Sequence, residues 1–79
     1  MKLINIGKGN LINIDRVISL TSPDAAPIKR LIADAKKAGT LIDSTCGKKT
    51  KTVIIHDSGH ITLSALTAEA IEERTGKES

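Results

Sequence analysis

The apolar residues of this chain fall into short runs separated by polar residues, and most of the runs have the composition of β-strands. Residues 3–6 and 11–14 are two such runs, both rich in β-branched side chains, with a Gly-Lys-Gly-Asn segment between them. Glycine and asparagine in this arrangement are typical of a tight turn. The pattern predicts a hairpin over these two runs, followed by a third strand at 17–21.

One segment has the spacing of an amphipathic α-helix instead. Its apolar residues recur at intervals of three and four, and they are Ile28, Leu31, Ile32 and Ala35. This spacing predicts one buried helical face. Ser22 and Pro23 carry the signal of the helix start, because serine caps orphan backbone amides and proline is tolerated in a first turn. Pro27 is expected close to that start, and Gly39 is expected to end the helix.

The second half of the chain repeats the order of strands followed by a helix. Strands are predicted at 41–45, 52–55 and 61–65, with short turns between them. The alternation within the last of these predicts one buried and one solvent-facing side. Thr67 can cap a final helix that runs from Ala68 to about Arg74.

The order βββ-α-βββ-α, with mostly short connections, favours an antiparallel or mixed sheet over a doubly wound one. The predicted fold class is therefore α+β, a small single domain with a mostly antiparallel β-sheet, one central helix and a C-terminal helix. The domain is expected to span residues 1–76, and residues 77–79 are expected to form a frayed tail.

Size and composition then point to self-association. A chain of 79 residues buries only about 60% of the surface that its unfolded form exposes. Cys46 is the only cysteine, so an internal disulfide is excluded, and oligomerisation is the remaining common way to stabilise so small a domain. The sequence contains no Phe, Tyr or Trp, which argues against a small-molecule pocket and against base stacking on single strands.

Catalytic and metal sites are disfavoured. Cys46, His56 and His60 could contribute metal ligands, but the two histidines flank an Asp-Ser-Gly turn rather than sharing a helix face, and the set is incomplete. No local feature marks an oxyanion hole or an orienting group for a Cys46 nucleophile. We therefore expect no enzymatic activity, no metal, no cofactor and no small-molecule substrate. The absence of a signal peptide and of a long apolar run predicts a cytoplasmic protein without membrane contact.

Positive charge is unevenly distributed along the chain. Residues 1–68 hold ten of the twelve basic side chains but five of the nine acidic ones. Between residues 44 and 56 there are three basic side chains, Lys48, Lys49 and Lys51, and no acidic one. With the hydroxyl of Thr50 they can bind phosphate oxygens without reading any base. Arg16 is a second candidate phosphate contact, or else it forms a salt bridge with Asp15 or Asp24.

Several segments together resemble the RemA family, bacterial regulators of extracellular-matrix genes. The resemblance covers about residues 3–66 and rests on Asn-Ile-Gly-x-Gly-Asn at 5–10, Asp-Arg-Val-Ile at 15–18, Ser-Pro-Asp-Ala-Ala-Pro-Ile-Lys-Arg at 22–30, Leu-Ile-Asp-Ser-Thr-x-Gly-Lys-Lys-Thr-Lys at 41–51 and Val-Ile-Ile at 53–55. The family's arginine before the third strand falls on Arg16, and its helix-start proline falls on Pro27. Its basic turn, typically Gly-Arg-Arg-Thr-Arg, falls on residues 47–51, where this chain has lysines.

The resemblance implies a DNA-binding transcriptional regulator whose subunits close into a ring, with repeated basic side chains around which duplex DNA bends or wraps. The implied partners are double-stranded DNA and further copies of the chain, and the implied targets are biofilm or extracellular-matrix genes. Lysine lacks the bidentate fork of arginine, so phosphate neutralisation is expected rather than base or groove recognition. An alternative hypothesis is an oligomeric interaction or RNA-binding module without gene-specific regulation.

Overall fold

The computed structural model describes residues 2–7 and 9–76. The elements along the chain are β1 (Leu3–Asn5), β2 (Leu11–Asn13), a short 3-10 helix η1 (Ile14–Arg16), β3 (Val17–Thr21), α1 (Ala26–Ala38), β4 (Leu41–Asp43), β5 (Thr52–His56), β6 (Ile61–Ser64) and α2 (Ala68–Gly76). The predicted α+β class and the order βββ-α-βββ-α are confirmed. The predicted frayed tail, residues 77–79, lies outside the described residues.

The strands form two separate sheets. β1 and β2 pair as an antiparallel hairpin, and the other four strands form one sheet in the order β3-β5-β6-β4. The pairs β3–β5 and β5–β6 are antiparallel, whereas β4 runs parallel to β6. The long α1 crossover places β4 at the far edge of the sheet, so β5 and β6 are its two interior strands.

The four-stranded sheet is covered on both faces. On one face, α1 packs over Val53 and Ile61 through Ala35. On the other face, the hairpin and α2 close an aliphatic cluster that contains Ile54 and Ile71. Because both faces of β5 are covered, Val53 and Ile54 have no exposed surface.

The helix α1 begins later than its sequence predicts. Its N-cap is Ala25, which makes no side-chain cap, and Pro27 lies in the first turn. A start at Pro23 would place Pro27 in the helix interior, where it lacks the donor that the backbone ladder requires. The Ser22 hydroxyl instead accepts a hydrogen bond from the Asp24 backbone N–H at 3.2 Å. The expected end at Gly39 is confirmed, with φ of 76°.

Two side-chain predictions were wrong. Leu31, predicted on the buried helical face, is 41% exposed, because that face of α1 contacts the sheet through Ile28, Ile32 and Ala35. The strand β6 has no solvent-facing side, since Thr62 and Ser64 lie under the hairpin and α2 and are buried. Their hydroxyls are satisfied there, and Ser64 Oγ donates to the Ile6 carbonyl at 3.2 Å.

Candidate nucleic-acid interface

The residues Lys48, Lys49, Thr50 and Lys51, which we call the basic turn, lie in the loop between β4 and β5. They follow a tight reversal closed by the Lys48 N–H, which donates to the Thr45 carbonyl at 3.1 Å. The two central residues, Cys46 and Gly47, have φ of 54° and 85°, the signs that a type I′ turn requires. The predicted strand at 41–45 therefore ends at Asp43, and Thr45 belongs to this reversal.

Asp43 anchors the first side of the loop. Its Oδ1 accepts hydrogen bonds from the backbone N–H of Thr45 at 2.9 Å and from the Thr45 hydroxyl at 2.6 Å. These bonds stabilise the carboxylate and hold the pKa of Asp43 below its ordinary value. Ser44 adds a backbone hydrogen bond to the Leu63 carbonyl at 3.0 Å. The loop therefore leaves the sheet from a fixed base.

Two further hydrogen bonds anchor the second side of the loop. The Lys51 backbone N–H donates to the Ser64 carbonyl at 2.8 Å, and the Thr52 hydroxyl donates to the Leu66 carbonyl at 2.7 Å. The side chains of Lys48, Lys49 and Lys51 remain exposed. Within the described part of the chain, none of these three ammonium groups has an ion-pair partner. The basic turn thus presents three exposed charges, without an ion pair among the described residues, on an anchored backbone.

A cleft of about 220 Å³ lies beside the basic turn. Its lining combines part of the turn with two distant segments: Ser22, Pro23, Asp24, Lys49, Thr50, Lys51 and Thr67. Thr67 is the N-cap of α2, and its hydroxyl accepts a hydrogen bond from the Ala70 N–H at 3.1 Å, as its sequence predicts. Sequence reasoning placed Ser22 and Thr67 at helix starts only, so their position beside the lysines was missed. Asp24 places a carboxylate in the same cleft.

Arg16, the other predicted phosphate contact, is held by a partner from elsewhere in the chain. Its Nε donates to Asp57 Oδ2 at 2.6 Å, so the salt bridge joins Arg16 to the β5–β6 turn rather than to Asp15 or Asp24. The Asp57 side-chain hydrogen bond, assisted by its charge, raises the pKa of Arg16 above its ordinary value. The side chains of Arg16 and Asp57 are 62% and 42% exposed. The pair is therefore formed in contact with solvent.

The structure does not bring Arg16 and the basic turn together. Val17, directly after Arg16, pairs with His56 at the end of β5, whereas Lys51 directly precedes the start of β5. A strand rises about 3.3 Å per residue, so the two positions are roughly 15–20 Å apart along β5. Arg16 and the basic turn therefore lie beside opposite ends of β5.

The three candidate metal ligands are also separated. Cys46 is exposed in the loop that follows β4, beside the end of β6, while His60 directly precedes β6. His56 Nε2 is hydrogen-bonded to the Thr62 hydroxyl at 2.8 Å, and His60 Nδ1 to the Ser58 hydroxyl at 2.7 Å. Residues 2–7 and 9–76 contain no cluster of three His, Cys, Asp or Glu side chains that could hold a metal. Burial, followed by the charge of His60, lowers the pKa of His56.

The two histidines instead border a second cleft, of about 340 Å³, between the hairpin and the sheet. Leu11 of β2 and Ile42 of β4 stand at this cleft and are both exposed. Its lining contains no Asp, Glu, Lys or Arg side chain, so the two histidines are its only titratable groups, unlike the cleft beside the basic turn. Among the described helices, none is both long and apolar enough to cross a bilayer.

Comparison with known proteins identifies relatives across nearly the whole chain. Residues 3–75 match the RemA-like family, described as extracellular matrix regulatory protein A-like. A Dictyoglomus turgidum protein is 55% identical over 94% of this chain and 87% of its own length. A Bacillus pumilus protein is 53% identical over 94% and 83%, and a Gloeothece citriformis protein is 51% identical over 94% and 84%. All three are named for a regulatory role.

Proposed function

This chain belongs to the RemA-like family, and we propose that it is a regulatory protein that binds the phosphate backbone of double-stranded DNA through its basic turn. The observation that carries the proposal is the set of three exposed ammonium groups on a loop anchored at both sides. A fixed backbone reduces the conformational entropy cost when the side chains meet a polyanion. The regulatory names of the relatives support the same role.

The chemistry of lysine favours backbone contacts over base reading. An ammonium is a compact point charge, whereas the planar guanidinium of arginine matches paired acceptors on phosphate or guanine. Lys48, Lys49 and Lys51 therefore supply affinity and position the protein, with little discrimination among sequences. Arg16 is the side chain in this proposal that can make a bidentate phosphate contact, at a separate point along the duplex.

Self-association is the second part of the proposal. Among the residues that the structure describes, five large aliphatic side chains are exposed, and they are Leu3, Leu11, Ile18, Leu31 and Ile42. They lie on the hairpin, both edge strands and α1, so more than one surface of this small domain is suited to bury apolar area against a further copy. In a ring, the basic turns recur around one assembly, and linked sites bind with an avidity that a single turn lacks.

The proposed role follows from these two parts. Subunits assemble in the cytoplasm, a closed ring presents its lysines as a cationic track, and duplex DNA bends along it. The family description supports genes of the extracellular matrix, and hence of biofilm formation, as the regulated targets. The protein acts by binding and performs no chemistry.

A matched pair of double variants tests the DNA site. Lys48→Ala/Lys49→Ala removes two charges from the basic turn, and Lys36→Ala/Lys37→Ala removes two exposed charges from the last turn of α1. Fluorescence anisotropy on a labelled duplex should show that the first variant binds about tenfold or more weakly than wild type, and that the second loses less affinity. Equal losses would contradict a localised site. Tighter binding of structured RNA than of duplex DNA at the same salt would favour the RNA-binding alternative.

A further inference from the structure

We propose that Asp57 restrains Arg16 from binding phosphate, so that a polyanion must compete with this carboxylate for the guanidinium. The inference rests on the proposed function only in assigning Arg16 as a phosphate contact. It is carried by the geometry of the pair, in which one residue of the β5–β6 turn makes both a side-chain and a backbone hydrogen bond to Arg16.

The β5–β6 turn holds Asp57 in place opposite Arg16. The Asp57 backbone N–H donates to the Arg16 carbonyl at 2.8 Å, and the turn is closed by the Gly59 N–H, which donates to the His56 carbonyl at 3.1 Å. Gly59 has φ of 91°, a conformation that glycine adopts without strain. The backbone of Asp57 is therefore fixed beside Arg16, which keeps its carboxylate within reach of the Arg16 Nε.

A phosphate and the Asp57 carboxylate seek the same donors. Both present negatively charged oxygens to the guanidinium N–H groups, and the carboxylate already occupies the Nε–H. The paired charges also cancel at a distance, so the pair attracts a duplex less than Arg16 alone would. The lysines of the basic turn differ, because no carboxylate among the described residues forms an ion pair with them.

In these surroundings, the Asp57 carboxylate is the main competitor of a phosphate for the Arg16 guanidinium. The titratable neighbours in the β5–β6 turn are His56 and His60, and Asp15 precedes Arg16 in η1. Because His56 is partly buried and its pKa is lowered, it is neutral near pH 7. Both members of the pair are accessible to solvent, so a phosphate can approach the guanidinium directly. Solvent-exposed pairs are weak enough to be displaced.

Asp57→Asn is the informative substitution, since it removes the charge while retaining a side-chain oxygen and the backbone hydrogen bond. An exposed ion pair of ordinary strength corresponds to about a two- to fivefold change in affinity. The charge-matched control is Asp34→Asn, which removes an exposed carboxylate from α1. Duplex affinity should be measured for wild type, both variants, Arg16→Ala and the Arg16→Ala/Asp57→Asn double variant at one low salt concentration.

Asp57→Asn should bind the duplex about two- to fivefold more tightly than Asp34→Asn. In the Arg16→Ala background, the substitution at Asp57 should have no more effect than the control. The salt slope of Asp57→Asn should also steepen by about 0.9 for each phosphate that Arg16 newly contacts. The proposal is overturned if Asp57→Asn and Asp34→Asn bind alike, or if the gain at Asp57 persists without Arg16.

A second measurement separates this proposal from the proposed function. In a titration with inorganic phosphate followed by NMR, the Arg16 Nε–H resonance should shift at a lower phosphate concentration in Asp57→Asn than in wild type. Equal responses would overturn the restraint by Asp57, whatever the protein binds. If wild type fails to bind duplex DNA even in dilute buffer, the proposed function fails, and the phosphate titration still decides the role of Asp57.

Discussion

The two ends of strand β5 carry positive charge in different states. At its start, the basic turn presents three exposed lysines that have no ion-pair partner in the described chain. At its end, Arg16 is also exposed but is paired with Asp57. The comparison teaches that an exposed charge is not always an unpaired one. Only an unpaired charge, such as those of the basic turn, is ready to neutralise phosphate.

The difference arises from how each end is anchored. The loop of the basic turn is fixed by Asp43, whose carboxylate is hydrogen-bonded to Thr45 rather than paired with a lysine. The Arg16 end is fixed by Asp57, whose carboxylate bonds to the cation itself. One acidic residue therefore stabilises the backbone beside free charges, and the other neutralises the charge beside it.

The substitution with the largest expected effect weakens the packing of β5, the strand that connects the two ends. Ile54 is fully buried in the middle of β5, and Ile54→Ala should lower the free energy of unfolding by about 2–5 kcal/mol through poorer packing and a residual cavity. Urea unfolding followed by circular dichroism measures this change. Lys29→Ala is the control, because Lys29 is exposed on α1 and lies outside the apolar surfaces proposed for self-association, so it should change stability by only about 0.5 kcal/mol.

A smaller effect is expected from straining the basic-turn end alone. Gly47 has φ of 85°, and apart from its two chain neighbours no residue has an atom within 4 Å of the position that a Cβ would take. Gly47→Ala should therefore cost only the backbone penalty, about 1–2 kcal/mol, and should weaken duplex binding if the turn geometry matters. Thermal unfolding and anisotropy on the same samples check both effects. Unchanged stability would show that the loop readily adopts another turn.

A pH series sharpens the comparison at the other end. Folding lowers the pKa of His56, so the unfolded chain binds more protons than the folded chain as the pH falls below the ordinary value of 6.5. Stability should therefore be highest above that value and decrease on acidification through the lowered pKa. His56→Gln should flatten the profile of melting temperature against pH. His60→Gln should retain most of the pH dependence of the melting temperature, because burial is the larger cause of the lowered pKa of His56.

The smallest expected effect is a stabilisation of the reversal at Cys46 and Gly47 that precedes the basic turn. Cys46 has φ of 54°, and no other non-glycine residue in the described ranges has a positive φ. Asn-Gly is the preferred pair at the centre of a type I′ turn, so Cys46→Asn should raise the free energy of unfolding by about 0.5 kcal/mol. Calorimetry should show a higher melting temperature with unchanged duplex affinity, and a lower melting temperature would contradict the assigned turn.

Local sequence signals predicted most of the elements. Glycine and asparagine between two β-branched runs marked the hairpin, and Gly39 and Thr67 marked one helix end and one helix start. Ser22 misled the prediction of α1, because Pro27 decides where that helix can begin. The buried hydroxyls of Thr62 and Ser64 were not predictable from their alternation alone, since alternation does not reveal that the hairpin and α2 cover the polar side of β6.

The candidate site also has one part that the sequence predicted and one part that it did not. The lysines of the basic turn are adjacent in sequence, so their clustering was visible without a structure. The partner of Arg16 lies 41 residues away, and only the antiparallel pairing of β3 with β5 brings Asp57 beside it. The opposite placement of Arg16 and the basic turn likewise depends on strand register, which no local pattern specifies.

The most direct test of the central claim is the salt dependence of duplex binding for wild type and for Lys48→Gln/Lys49→Gln/Lys51→Gln. If the basic turn neutralises phosphates, the slope of log affinity against log salt should fall by about 0.9 for each phosphate that a subunit of the variant no longer neutralises. The slope for Lys36→Gln/Lys37→Gln should stay close to that of wild type. An unchanged slope in the triple variant would contradict the account.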